Sequence, residues 1–248
     1  MNNPRIIAIE TSSRHGSVAV ALGPDLLAEE TFPTDQEHAR ELLPALDRLC
    51  RAQGWSPDEI AHCYVSIGPG SFTGLRVAVT FARHLALATG AKICAVPTLD
   101  AVAENCAALP DAPEHLAVIL DAKRGQVFAA VFARRGGSSA GVAKSAYDRI
   151  VEPCMIEPDA LLATAPRPIA VVGEGIDHHR AAIEASGAAL LDRTLWRPRA
   201  ANVHRLGWGL AEQGRFTPAR ELVPFYLRRP EAEELWEKRH GGAQAPPP

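Results

Sequence analysis

The chain opens on an apolar run, Ile6-Ile7-Ala8-Ile9, that stops at Glu10, and such a run reads as a buried strand. Thr11 to Gly16 is a polar turn. Ser17 to Leu22 (SVAVAL) reads as a second strand, Gly23-Pro24-Asp25 breaks it, and Leu26 to Phe32 gives a third, so the start of the chain is a β-meander. The period then changes. Thr34 and Glu37 stand as a capping box before a helix to about Gln53, with Leu42, Leu43, Leu46, Leu49 and Cys50 at helical spacing and Gly54 just past its end. Pro44 falls inside and predicts a kink or a loose first turn. Ser56-Pro57-Asp58-Glu59 caps a short helix, His62 to Ile67 is a strand, and a glycine-rich stretch leads into a helix from Gly74 or Leu75 to Thr89. A strand (Lys92 to Val96) and a helix (Thr98 to Ala108) complete this part. A meander followed by strand, helix, strand, helix predicts a mixed sheet with helices packed on it.

The pattern restarts at Leu116. Leu116 to Leu120 is apolar and ends at Asp121, a polar turn with Gly125 follows, and Gln126 to Ala133 alternates as a strand. The apolar run, the terminal acid and the outgoing strand of residues 6–22 thus recur about 111 positions later, which points to internal duplication. Arg135 to Ser145 reads as a hairpin tip, Pro158 to Ala163 and Asp177 to Ser186 as helices, Ile169 to Val172 as a strand closed by Gly173-Glu174-Gly175, and Ala201 to Gln213 as a last helix. Gly241 to Pro248 reads as a disordered tail. The expected division is a first lobe of residues 1–108 joined by the helix at about 200–214, and a second lobe of 109–199 and 215–233.

Composition narrows the function. A net charge of −3 argues against tight RNA binding by this chain alone, since phosphate contacts need clustered cations. Arg134-Arg135 and Arg228-Arg229 are the nearest approach to a basic patch. The five cysteines form no CxxC and read as buried reduced thiols of a cytosolic protein. No signal peptide or membrane-length apolar run is visible, so the expected location is the cytoplasm, with no membrane partner.

Three features bear on chemistry. The first is the acid ending each apolar strand, Glu10 with Thr11-Ser12 and Asp121 with Lys123-Arg124-Gly125. A carboxylate beside a tight polar turn suits a metal–phosphate, and the alternative is two plain hairpin turns. The second is Ser66 to Arg76, SIGPGSFTGLR. Gly68, Gly70 and Ser71 before a helix start can cradle an anion, or Gly68, Gly70 and Gly74 can simply give backbone freedom to a strand-to-helix connection. It is neither a P-loop nor a dinucleotide fingerprint. The third is the helix at 75–89, apolar on two faces: Leu75, Val79, Ala82 and Ala86 on one, Val77, Phe81 and Leu85 on the other, with an Ala78, Ala82, Ala86 series that permits close helix approach. It is either sandwiched inside its own domain or partly given to a partner.

GPGSFTGLR resembles the most characteristic segment of the TsaB (YeaZ) family. IAIETSSRHGSVAVAL, DAKRGQVFAAVF, VVGEG at Val171 to Gly175 and PFYLRRPEAE at Pro224 to Glu233 resemble that family's other landmarks, in order, from residue 5 to about 233. The resemblance implies an α/β fold of duplicated ribonuclease-H-like (actin-like, ASKHA) half-domains. It implies a non-catalytic partner subunit for a TsaD-like threonylcarbamoyl transferase that forms N6-threonylcarbamoyladenosine beside the tRNA anticodon. A TsaE-like ATPase in the assembled complex, only indirect contact with tRNA, a homodimer through the same helices when alone, and ATP at the subunit interface rather than a cofactor of its own are implied with it. The implied interface residues are Leu42, Leu46, Leu49, Leu75, Ala78, Phe81, Ala82 and Leu85, burying about 1,600 Å² in all. Glu10, Thr11, Ser12, Gly68, Gly70, Ser71, Asp121, Gly173 and Gly175 would be vestigial phosphate loops. The TsaD subunit holds its metal through a His-x-x-x-His pair, and here no two of the nine histidines are four apart, so no metal site and no catalytic residue is expected. Neither HExxH nor a serine-triad signature is present. An ASKHA-type ATPase or small-molecule kinase is the second reading, motivated by the paired acids, although Glu10 stands where active members usually carry Asp. A metalloprotease-like protein is the third.

Overall fold

The computed structural model describes residues 3–32, 37–136 and 145–228. Strands β1 (Arg5–Glu10), β2 (Ser17–Leu22) and β3 (Asp25–Thr31) form the antiparallel meander, in register from Arg5 opposite Leu22 to Glu10 opposite Ser17. Helix α1 (His38–Ala52) leads through a 3₁₀ turn at Pro57–Glu59 to β4 (Ile60–Gly68), and α2 (Phe72–Thr89) to β5 (Lys92–Pro97). β4 pairs parallel with β1 and β5 parallel with β4, giving the order β3-β2-β1-β4-β5. Helix α3 (Thr98–Ala103), extended by a 3₁₀ turn at Glu104–Cys106, leads to the second sheet.

There β6 (His115–Asp121), β7 (Val127–Arg134) and β8 (Tyr147–Ile156) repeat the meander. Helix α4 (Pro158–Thr164), β9 (Ala170–Val172), α5 (Ile176–Ala185) and β10 (Ala189–Leu190) follow, in the order β8-β7-β6-β9-β10, with β9 parallel to β6 and β10 parallel to β9. Each sheet therefore reads third, second, first, fourth, fifth along its own lobe. The duplicated ribonuclease-H-like architecture is present in both halves.

β1 is apolar without alternation because both of its faces are covered. Ile7 and Ile9 look into a core shared with Leu42, Ala45 and Leu46 of α1 and Ala78 and Ala82 of α2. Ile6 and Ala8 look the other way, into a core closed by helix α6 (Ala200–Glu212) through Ala200 and Val203. Small residues let α6 sit low on this face: a Cβ placed on Gly207 would lie 2.5 Å from Cγ of Tyr64. The third core fills the second lobe, and α3 supplies Leu99, Val102 and Ala103 to it. Cys63, Cys94 and Cys106 are buried, Cys50 and Cys154 only half-buried, and all five are free thiols. Among the described residues no helix is long and apolar enough to cross a membrane.

Several boundaries differ from those read in the sequence. α1 starts at His38 after an uncapped Glu37 and runs unbroken through Pro44, whereas Thr34 lies outside the described residues. α2 starts at Phe72, because the Ser71 hydroxyl accepts the Gly74 N–H and caps the helix earlier than the glycine suggested. α3 ends at Ala103 rather than Ala108. β8 was not expected. It pairs on one side only, so Asp148, Arg149, Glu152 and Pro153 are tolerated on a strand whose register slips next to the proline. The segment from residue 215, expected in the second lobe, lies against the first as far as Tyr226. Thr217 bridges to Ile93, Leu222 enters the α1–α2 core, and the Phe225 N–H donates to the Ile67 carbonyl at 2.7 Å. Arg228 then reaches the second lobe, donating to Gln126 Oε1 at 2.8 Å. The hairpin tip at 137–144, Arg229 and the tail fall outside the described residues.

Candidate functional site

The first strand end and the glycine-rich loop meet, but they meet each other. Glu10 is fully buried, and its Oε1 accepts hydrogen bonds from the Ser12 N–H and hydroxyl, both at 2.5 Å, with the buried Ser66 hydroxyl also acting on the carboxylate. Burial pushes its carboxyl above the usual range against the pull of the Ser12 hydroxyl. The Thr11 hydroxyl donates to the Gly74 carbonyl at 2.8 Å, and the Ser71 N–H donates to the Ser12 carbonyl at 2.6 Å. A Cβ on Gly70 would lie 2.2 Å from the Ser12 carbonyl oxygen, and one on Gly74 1.9 Å from that of Thr11. The glycines of GPGSFTG thus permit a hairpin about sixty residues away to press against the loop. The Ser71 amide that an anion would use is already engaged, and Glu10 has no surface to offer a metal–phosphate.

The second acid is different. Asp121 accepts from the Lys123 N–H at 2.8 Å and lies 2.5 Å from Lys123 Nζ, with His178 Nε2 at 3.8 Å. Partial burial would raise its carboxyl, but the Lys123 side chain and amide overcome this and hold it below the usual range. Lys123, Arg124 and Gly125 all take positive φ, which makes the turn tight. Gly173, at φ 119°, packs where a Cβ would lie 2.1 Å from the Ile119 carbonyl oxygen, and the Gly175 N–H donates to the same oxygen at 3.1 Å. These glycines serve contact with β6. Gly68, at φ 113°, does the same against the Phe225 carbonyl oxygen, which would lie 2.7 Å from an added Cβ. The two acids therefore form no matched pair, and among the described residues no group of three His, Cys, Asp or Glu side chains is arranged for a metal. Of the basic pairs, Arg134 donates to the Ala112 carbonyl and Arg135 pairs with Asp148, so neither stands ready for phosphate.

The outward face of α1 and α2 is the other candidate, and the expected interface residues differ in how much of them reaches the surface. Leu42, Leu46, Leu75, Ala78 and Ala82 are at most 5% exposed and packed into the core, although Leu42 also lines the cleft between the helices. Leu49, Phe81 and Leu85 are half-buried at the rim. The exposed large apolar side chains of these helices are Leu43, at 59%, and Leu87, at 78%. Between the helices runs an open cleft of about 620 Å³, lined among others by Ala39, Leu43, Phe72, Val77, Phe81 and His84. The chain's last described residues build its end: Tyr226 stacks on Phe72 with ring centroids 5.0 Å apart, and the Arg76 guanidinium lies 3.8 Å from the centroid of the Phe72 ring. Leu43 and Leu87 are not among the interface residues expected from the sequence, because helical spacing selects the sheet-facing stripe. The available signal was the doubling Leu42-Leu43, one residue more than that stripe needs.

The family model described as "TsaD: tRNA N6-adenosine threonylcarbamoyltransferase" matches residues 26–236. The Bacillus subtilis protein named "tRNA threonylcarbamoyladenosine biosynthesis protein TsaB" is 27% identical over 93% of this chain and 97% of its own length. The Escherichia coli protein of the same name is 28% identical over 96% and 99%. Among solved structures, YeaZ from Pseudomonas aeruginosa superposes with a TM-score of 0.75 at 21% identity, covering 90% of this chain and all of that one, which shows a shared fold. With its family model, its full-length relatives and its twice-repeated sheet in agreement, the chain belongs to the TsaB (YeaZ) family, within the wider family that the TsaD model describes.

Proposed function

We propose that the chain is the non-catalytic partner subunit that binds and supports a TsaD-like threonylcarbamoyl transferase in tRNA threonylcarbamoyladenosine biosynthesis, docking through the outward face of α1 and α2. The observation that carries this is the exposed apolar surface of two helices that already fill their own core. Leu43 stands in solvent beside a cleft lined by Val77 and Phe81, and Leu87 stands in solvent further along α2. Large apolar side chains grouped around a groove mark an interaction site rather than ordinary surface. Support for a role without catalysis comes from the two hairpins, since Glu10 is sealed and Asp121 is tied to Lys123. On this reading any nucleotide of the assembled complex is held at its subunit interface and not by this chain's hairpins, and a TsaE-like ATPase joins the complex rather than this chain alone.

The test is association with the TsaD-like subunit of the same organism. Leu43→Asp and Leu87→Asp each place a charge on the exposed rim, so they are expected to weaken the pairing at least about tenfold while leaving Tm within about 2 °C of the parent. Ala82→Asp is the contrasting control: it buries a charge against the sheet and is expected to unfold the first lobe. Undiminished pairing of both leucine variants, measured by calorimetry, would remove the helix face from the proposal.

A further inference from the structure

The apolar cleft is bordered by a ridge of one charge. Arg76, Thr80, Arg83 and Leu87 follow one another at intervals of four, three and four along α2, and all four are exposed. Arg76 and Arg83 are two turns apart, so they lie on one line about 10 Å from each other. The helix contains no Asp or Glu. Across the groove Arg51 of α1 pairs with Asp47, Arg48 with Glu30 and Arg40 with Glu37, and half-buried Glu41 is the acid of that helix outside an ion pair among the described residues. Among the described residues no carboxylate pairs with Arg83, and Arg76 has only the Phe72 ring and the Tyr226 hydroxyl, the latter at 3.4 Å. His84, beside Arg83, turns its Nδ1 to the Thr80 carbonyl at 2.7 Å and adds no negative charge.

A ridge built this way treats two occupants differently. In a second copy of this chain, antiparallel α2 helices crossing near Thr80 set Arg76 opposite the other copy's Arg83, and a parallel crossing sets each arginine against itself. Like charges meet in both, which costs free energy and slows encounter. A partner helix with carboxylates flanking its apolar side chains meets the same ridge with attraction.

Resting on the docking face proposed above, we infer that Arg76 and Arg83 set the choice of occupant, admitting a protein helix with an acidic rim and disfavouring self-association through the same face. They act by repulsion as much as by attraction, which is how specificity is gained where apolar contacts alone discriminate little. The homodimer that the family resemblance implies is then the weaker of the two assemblies.

The two assemblies should respond to salt with opposite sign. Raising the ionic strength from about 0.05 to 0.5 M screens exposed charges. It is expected to weaken binding of the TsaD-like subunit several-fold and to strengthen self-association of this chain, each followed by sedimentation equilibrium. Arg83 is exposed and pairs with no described carboxylate, so Arg83→Glu leaves the fold intact. It is expected to weaken the heteromeric complex about tenfold and to tighten the homodimer by a similar factor, since the introduced carboxylate then faces Arg76 of the other copy. Constants that stay within twofold of the parent in both assays, while Leu43→Asp still weakens pairing at least about tenfold, overturn the charge inference and leave the docking face standing. Pairing unaffected by either Leu43→Asp or Leu87→Asp, each tested alone, overturns both.

Discussion

Glu10 is a carboxyl group sealed at the end of the central strand, and its protonation is linked to folding. Burial raises its folded pKa above the unfolded value, so its contribution is fully present below the ordinary carboxylate range and is lost as pH rises through the folded pKa. Glutamine keeps an oxygen for the Ser12 donors and cannot ionise. Glu10→Gln is therefore expected to be close to neutral at pH 4 and to raise Tm by about 2 °C or more at pH 8, read from thermal unfolding at the two pH values. No difference in pH dependence between the two proteins would show that the buried oxygen is ionised at little cost. That an acid ends this strand was legible in the sequence. That it faces inward was not, because its surroundings are made by Ser12 and by a loop about sixty residues away.

At the level of elements, α3 is the piece that belongs to both lobes. Ala101 lies in the core beneath α6, while Leu99, Val102 and Ala103 lie in that of the second sheet. Its acids reach outward from this position: Asp100 to Arg149 of β8 at 3.2 Å, and Glu104 to Arg205 of α6 at 3.0 Å and to the Ala146 N–H at 2.8 Å. Burial pushes the Asp100 carboxyl up to about 6 despite Arg149, with Glu104 and Glu152 adding to the rise. Its folded pKa lies above the unfolded one, so its contribution falls as pH rises from about 4 through 6. The stability difference between the parent and Asp100→Asn should then shift by on the order of 2 kcal/mol between pH 4 and 7, against the parent, as measured by denaturant unfolding. A constant difference would mean that Arg149 fully offsets the burial. Elements with two covered faces or one clear stripe, such as β1 and α1, were readable from apolar spacing alone. β8 was not, because an edge strand bearing Asp148, Arg149, Glu152 and Pro153 has no apolar alternation to read. Most of the interface residues expected from spacing are buried for a related reason: spacing reports which side of a helix is apolar, and in α2 the most apolar side is the one spent on its own sheet.

At the scale of the whole molecule, the repeat of an acid-ended hairpin was enough to infer two like lobes, and the equal strand orders bear this out. What repetition could not reveal is how the lobes borrow from each other in sequence. The first sheet takes its second cover from α6, and the second core takes three residues from α3. Residues 1–108 alone should therefore fail to fold cooperatively, leaving Leu99 and Val102 without the second lobe and Ile6 and Ala8 without α6. A sharp two-state melt of that fragment would contradict this expectation.

The lateness of α6 has a consequence for the growing chain. One side of the first sheet stays bare from the time Pro97 is made until Ala200 follows it, an interval of roughly 5–20 s at ordinary rates of synthesis. The exposed strip sets Ile6, Tyr64 and Val96 among the small side chains of Ala8, Ala19 and Ala21, so the nascent lobe carries an apolar face on the ribosome until α6 arrives to cover it.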